Sequence, residues 1–159
     1  MKRLAYILVA ISLMVGLVGV IGCGEAATSP EEFATQEVTE TSVRDTIQNL
    51  SGTGVKLEGN IIKIEIVGNL GTEAPNDKIV DVYYKPEVWD EEDAMTTAVH
   101  TAIKTMEVLF SNPKVSEVVM WQQGEFTDKY GNTKTELAIR IVMDREVADK
   151  IADWETVDD

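Results

Sequence analysis

Ile79-Val80-Asp81-Val82-Tyr83-Tyr84-Lys85-Pro86, followed by Met95-Thr96-Thr97-Ala98-Val99-His100-Thr101-Ala102-Ile103-Lys104-Thr105-Met106-Glu107-Val108-Leu109-Phe110, decides the fold class. The first block has a period of two: Val80, Val82 and Tyr84 point one way, Asp81 and Tyr83 the other, and Pro86 ends the strand. In the second block, Met95, Ala98, Val99, Ala102, Ile103, Met106, Leu109 and Phe110 recur at steps of three and four. That is the apolar stripe of a helix lying on a core. Asp90 is the expected N-cap, with Glu91, Glu92 and Asp93 in the first turn, and Ser111-Asn112-Pro113 is the stop.

Outward from this pair the same two periods alternate. Toward the N-terminus, Ile62, Ile64 and Ile66 interleave with Lys63 and Glu65 as a half-buried strand, preceded by Gly59-Asn60 and a shorter candidate strand over Val55 to Glu58. Ser42-Val43-Arg44-Asp45 reads as a capping box opening a short helix with Val43, Ile47 and Leu50 on one side. Toward the C-terminus, Val115 to Thr127 and Thr135 to Met143 are strands joined by Asp128-Lys129-Tyr130-Gly131-Asn132, with Gly131 suited to positive φ. Asp144 caps a last helix bearing Val147, Ile151 and Trp154. The order α-β-β-α-β-β-α predicts a single α+β domain over 42–159. Its mainly antiparallel sheet has four strands, or five if 55–58 adds one, with one long helix on one face.

The chain starts differently. Met1-Lys2-Arg3 is basic, Leu4 to Ile21 carries no charge, and the run closes on Val20-Ile21-Gly22-Cys23. This tetrapeptide resembles the lipobox of bacterial and archaeal lipoproteins. The resemblance implies cleavage between Gly22 and Cys23 and a diacylglyceryl group on the Cys23 thiol, with 1–22 a signal peptide. The domain would then be held by a lipid on the outer side of the cytoplasmic membrane, or on an outer membrane where the cell has one. An uncleaved span and a secretory signal beside an ordinary Cys are the other readings, and all three export the rest of the chain. Residues 24–41, rich in Thr and Glu, read as a tether, although Pro30-Glu31-Glu32 suits a short helix start. Trp89-Asp90-Glu91-Glu92, Phe110-Ser111-Asn112-Pro113 and Phe126-Thr127-Asp128-Lys129-Tyr130-Gly131-Asn132 are similar to stretches of small exported α+β domains, a resemblance that implies no catalytic residues.

Fourteen Lys and Arg against 28 Asp and Glu leave a formal charge of −14 over 159 residues, with one Cys and one His. Such a chain repels phosphate backbones, which argues against nucleic acid as a partner. One Cys makes no internal disulfide, and one Cys with one His makes no ordinary structural zinc site. The acids of 90–93 serve helix capping as well as they would serve Ca²⁺. Around the hairpin, Tyr130 and Gly131 are out of register for a calcium loop, so no metal or cofactor is expected. His100 falls beside Thr97, Lys104 and Glu107, away from the apolar stripe, and no catalytic residue is assigned.

The sheet's second face is the candidate site. If Ile62/Ile64/Ile66, Val80/Val82/Tyr84, Val118/Met120/Phe126 and Leu137/Ile139/Ile141 meet the helix, then Tyr83, Trp121, Gln123 and Arg140 share the opposite side with Lys63, Glu65 and Val142. Trp, Tyr and Arg are the residue types that dominate binding hot spots. The expectation is a non-enzymatic module that binds a protein or envelope component. The alternatives are a small exported hydrolase using acidic residues and an inhibitor or immunity-type module. A terminal helix covering this side would instead make Trp121 an ordinary core residue.

Overall fold

The two periods become strands and helices in the computed structural model, which describes residues 29–48, 50, 57, 60–68, 77–87 and 92–157. The signal segment, Cys23, the Asp90 cap and all but Leu57 of the 55–58 strand lie outside the described residues. Chain order is α1 (Pro30–Phe33), α2 (Glu40–Gln48), β1 (Ile61–Gly68), β2 (Lys78–Tyr84), α3 (Ala94–Leu109), β3 (Val115–Thr127), β4 (Thr133–Asp144) and α4 (Arg145–Ala148), with a 3-10 turn at Glu155–Val157. The protein is α+β, and its sheet has the spatial order β1-β2-β3-β4.

The sheet is mixed: its pairings are mainly antiparallel, as expected, but one is parallel. β1 and β2 are antiparallel, as are β3 and β4, but β2 and β3 run parallel. A helix lying back along the sheet returns the chain to the end where the previous strand began. The next strand, if adjacent, must then run parallel to it. β2-α3-β3 is that crossover, set between two antiparallel pairs.

One face of the sheet holds the core. Ile64, Val80, Val82, Tyr84, Val118 and Met120 pack against Ala102, Met106 and Leu109 of α3, together with Val43 and Ile47 of α2. Inside it, the Tyr84 hydroxyl donates to Gln122 Oε1 at 2.6 Å, and burial pushes that hydroxyl far above the usual tyrosine range despite a hydrogen bond with Thr101. Thr101 and Thr105 are buried on α3, whereas Met95 is 60 % exposed and Val99 38 %, so these two members of the expected stripe lie outside the core while Ala98 between them is fully buried. The helix starts at Ala94 with Asp93 as its cap residue, and its first turn carries no acid.

Irregularities in two strands change which side chains face the core. In β1 the register shifts between Ile61, opposite Tyr84, and Lys63, opposite Tyr83. Ile61 therefore packs on the core while Ile62, expected there, is 50 % exposed. In β4, Ile139 opposes Gln122 and Leu137 opposes Gln123, leaving Ala138 between them without a partner. One extra residue reverses the alternation, so Leu137 leaves the core side and is 51 % exposed. Phe126 keeps its parity but lies beyond Gln122, the last β3 residue that β2 reaches, and is exposed.

The packed domain also begins earlier than residue 42. Ser29 Oγ accepts from the Glu32 amide and Pro30 follows at the first helical position, so α1 forms. Phe33 and Val38 enter the core. Burying them offsets the ordering entropy that composition alone assigned to a tether. The capping box of α2 is Thr39 with Ser42, each hydroxyl accepting the other's amide at 3.2 and 3.0 Å, three residues before the expected position. At the other end Asp144 caps as expected, accepting from the Val147 amide at 2.8 Å. The helix it opens is a single turn, and Val147 is exposed.

These ends meet at one junction. Asn112, fully buried after α3, donates from Nδ2 to the carbonyls of Phe33 at 2.7 Å and Gln36 at 3.1 Å, and its Oδ1 accepts from the Lys114 amide. Arg145 donates to the carbonyls of Phe110 at 2.8 Å, Asn112 at 2.6 Å and Val115 at 2.7 Å, and its guanidinium lies 4.9 Å from the centre of the Phe110 ring. Carbonyls left by the end of α3 are thus satisfied by one side chain from after β4. Asn112→Ala removes the hydrogen bonds to the Phe33 carbonyl, which keeps the Gln36 amide as its other donor, and to the half-buried Gln36 carbonyl, and should lower unfolding free energy by about 2 kcal/mol. Urea denaturation reads this, and a loss under about 1 kcal/mol would show that the junction is not holding α1.

Candidate recognition face

The register alone assembles the site. Lys63 opposes Tyr83, Tyr83 opposes Trp121, and Trp121 opposes Arg140, so one row crosses all four strands on the face away from α3. The Tyr83 and Trp121 rings stack at 5.6 Å between centroids, 3° from parallel. Lys63 Nζ lies 5.4 Å from the centre of the Tyr83 ring and the Arg140 guanidinium 4.8 Å from that of Trp121. Two aromatic faces are therefore capped at each end by a cation, whose charge is attracted to the ring quadrupole. Cross-strand pairs of this kind add about 0.5–1 kcal/mol each.

The neighbouring row fixes the rings' polar atoms. Trp121 Nε1 donates to Asp81 Oδ1 at 2.8 Å. Glu65 pairs with Lys63 at 2.5 Å and accepts a hydrogen bond from Tyr83. The hydrogen bond from Lys63 holds Glu65 below the usual carboxylate range and raises Lys63, so both stay charged. Burial, then the charges of Asp81 and Glu65, raise the Tyr83 hydroxyl, which remains a donor. Val119, between Asp81 and Val142 in this second row, is only 2 % exposed yet stands outside the main core cluster. The face thus has its own small buried layer.

Three of the four expected residues, Tyr83, Trp121 and Arg140, share the row. Gln123 is two positions further along β3, opposite Leu137. Lys63, Asp81 and Glu65 complete the arrangement; their parity was legible, but only the register shows which of them touch. The C-terminal segment does not cover this side, because Ala148 and Trp154 pack on the core cluster and Trp154 stacks against Phe110. Arg140, Leu137, Val67 and Val142 are exposed around the row.

Beyond Gln122 the β3–β4 pair continues as a two-stranded arm to the Asp128–Asn132 turn. Asp128 accepts from the amides of Tyr130 and Asn132 and from Asn132 Nδ2, and these bonds, the side-chain one first, hold its carboxyl below the usual range. Gly131 has φ +86° as expected, and Tyr130 at the tip is 78 % exposed.

Elsewhere, a groove of about 320 Å³ is lined by Pro30, Phe110, Arg145, Asp149 and Trp154. Its guanidinium already serves the junction carbonyls, so the groove belongs to the packing there. His100 is half-buried on α3. Among the described residues no group of His, Cys, Asp or Glu is placed to hold a metal ion, and no helix is long and apolar enough to cross a membrane. No family model, curated protein or solved structure matches the chain.

A double-mutant cycle tests the row. Trp121→Ala and Arg140→Ala should show a coupling of about 0.5–1 kcal/mol in urea unfolding. Additive effects would mean that the guanidinium does not cap the ring in solution.

Proposed function

We propose that the protein is a membrane-anchored exported lipoprotein whose domain is a non-enzymatic binding module for a protein or envelope component, with the open sheet face as its recognition surface. The observation that carries the reading is the Lys63–Tyr83–Trp121–Arg140 row. Trp, Tyr and Arg stand together, already ordered by stacking, on a face that the described helices leave uncovered. Side chains held in place before binding lose little further rotamer entropy on docking, which raises affinity at fixed contact area. The exposed Val67, Leu137 and Val142 supply apolar contact around it.

Anchoring rests on Val20-Ile21-Gly22-Cys23 and the uncharged run before it. The two acyl chains of a diacylglyceryl group on Cys23 give stable membrane attachment where a single chain would be marginal.

The two halves of the proposal are tested together on the full chain in its membrane. Cys23→Ser should abolish incorporation of labelled fatty acid and release the protein from the membrane fraction. A photo-crosslinking residue at Gln123 should capture a defined partner, and Trp121→Ala, with folding verified by circular dichroism, should lower that yield at least tenfold. The same yield with Trp121→Ala, or no partner at all, would overturn the recognition surface; labelled lipid on Cys23→Ser would overturn the anchor.

A further inference from the structure

We propose that the outer edge of β4 is a pairing site for a second copy of this chain, joined antiparallel about Val142. β4 is the last strand of the sheet and pairs only with β3. Among the described residues no other segment makes a backbone hydrogen bond to it, so the alternate N–H and C=O groups along its outer side lack a backbone partner. Edge strands are usually blunted by charge, proline or irregularity. β1, the other edge, has a register shift and the Lys63–Glu65 ion pair. Past Ala138, β4 reads Ile139-Arg140-Ile141-Val142-Met143-Asp144, with no proline and a single cation. None of these side chains is fully buried, and Val142 is 41 % exposed. Arg145 then donates to the Val115 carbonyl at the start of β3 and Ala148 enters the core, so the chain leaves β4 on its inner side.

Face and charge select one register. Arg140, Val142 and Asp144 lie on the open face, and Ile139, Ile141 and Met143 toward the core. Side chains directly opposite in an antiparallel pair share a face, so the two-fold axis must pass through a residue and not between two. Only centres at Ile141 and Val142 pair five of these six residues with neither the Ala138 irregularity nor the strand end intervening. Centred on Ile141, Arg140 meets Val142. Centred on Val142, each Arg140 meets Asp144 of the other copy, each Ile141 meets a Met143, and Val142 meets itself.

Two imbalances in the single copy favour the second centre. Arg140 lies over the Trp121 ring but has no hydrogen bond or ion pair among the described residues. Asp144 stands directly opposite Glu117, two carboxylates on one face with no cation paired to either among the described residues. Like charges opposite each other in a sheet are unfavourable and opposite charges favourable. Pairing about Val142 brings a guanidinium to each acid pair, which offsets locally the repulsion between two strongly acidic molecules. The axis is perpendicular to the sheet, so both open faces lie on one side of an eight-stranded sheet made from two four-stranded ones. The pairing is independent of the anchor and of what the open face binds.

Cross-linking of the full chain in the cells that produce it tests this. With Val142→Cys on the axis, mild oxidation should give a disulfide-linked dimer in at least fivefold higher yield than with Val67→Cys, equally exposed on β1. The native chain, carrying Cys23 alone, gives the background. In the Val142→Cys chain, Arg140→Glu sets acid against acid and Asp144→Lys sets base against base, so each should lower the yield at least tenfold, with folding verified by circular dichroism. Produced together, the two charge variants should restore it, because their mixed dimer has an acid opposite a base at both ends. A Val142→Cys yield no higher than that of Val67→Cys, a yield indifferent to either charge variant, or no recovery when the two are combined would overturn the pairing.

Discussion

The buried Asn112 side chain and the Arg145 guanidinium hold together the three parts of this chain that are far apart in sequence. Asn112 joins the end of α3 to α1, and Arg145 joins the end of β4 to the same turn. Backbone carbonyls at the end of a helix must find partners, and a buried one that fails costs about 1–3 kcal/mol. Meeting that requirement with side chains from this junction pulls α1 and α4 onto the helical side of the sheet. Among the described residues the other face is left to the strands alone.

That asymmetry explains the open face. With none of the described helices to pack against, its side chains satisfy each other across strands: rings stack, cations cap them, and Asp81 and Glu65 take the indole and phenol hydrogens. The result is an ordered, partly apolar, partly charged surface in a strongly acidic molecule. The same junction fixes where α1 joins the domain, so the placing of α1 and the make-up of the opposite face have one physical origin.

Much of this was legible in the sequence, and the losses have specific causes. Alternation gave β2 correctly, because Val80, Val82 and Tyr84 carry no irregularity and are all buried. It failed at Ile62 and Leu137, since an extra residue at Ile62 or Ala138 leaves no local signature yet reverses the faces beyond it. The helix between β2 and β3 already implied a crossover, so the parallel pairing was available from connectivity rather than periodicity. Phe33 and Val38 were missed because two apolar residues in a Thr- and Glu-rich stretch have no period; only the Asn112 contact reveals why they order. Tyr83, Trp121 and Arg140 were found by parity, but their alignment in one row depends on the register of three strand pairs.

The most direct measurement of the open face is hydroxyl-radical footprinting of the dilute, detergent-solubilised chain, read residue by residue by mass spectrometry. Tyr83 and Tyr84 are adjacent in sequence and on opposite faces, so they form an internal comparison. Tyr83, Trp121 and Leu137 should be modified readily while Tyr84, Met106 and Met120 stay protected. Protection of Tyr83 and Trp121 to the same degree as Tyr84 would show that this face is covered, and would contradict the account.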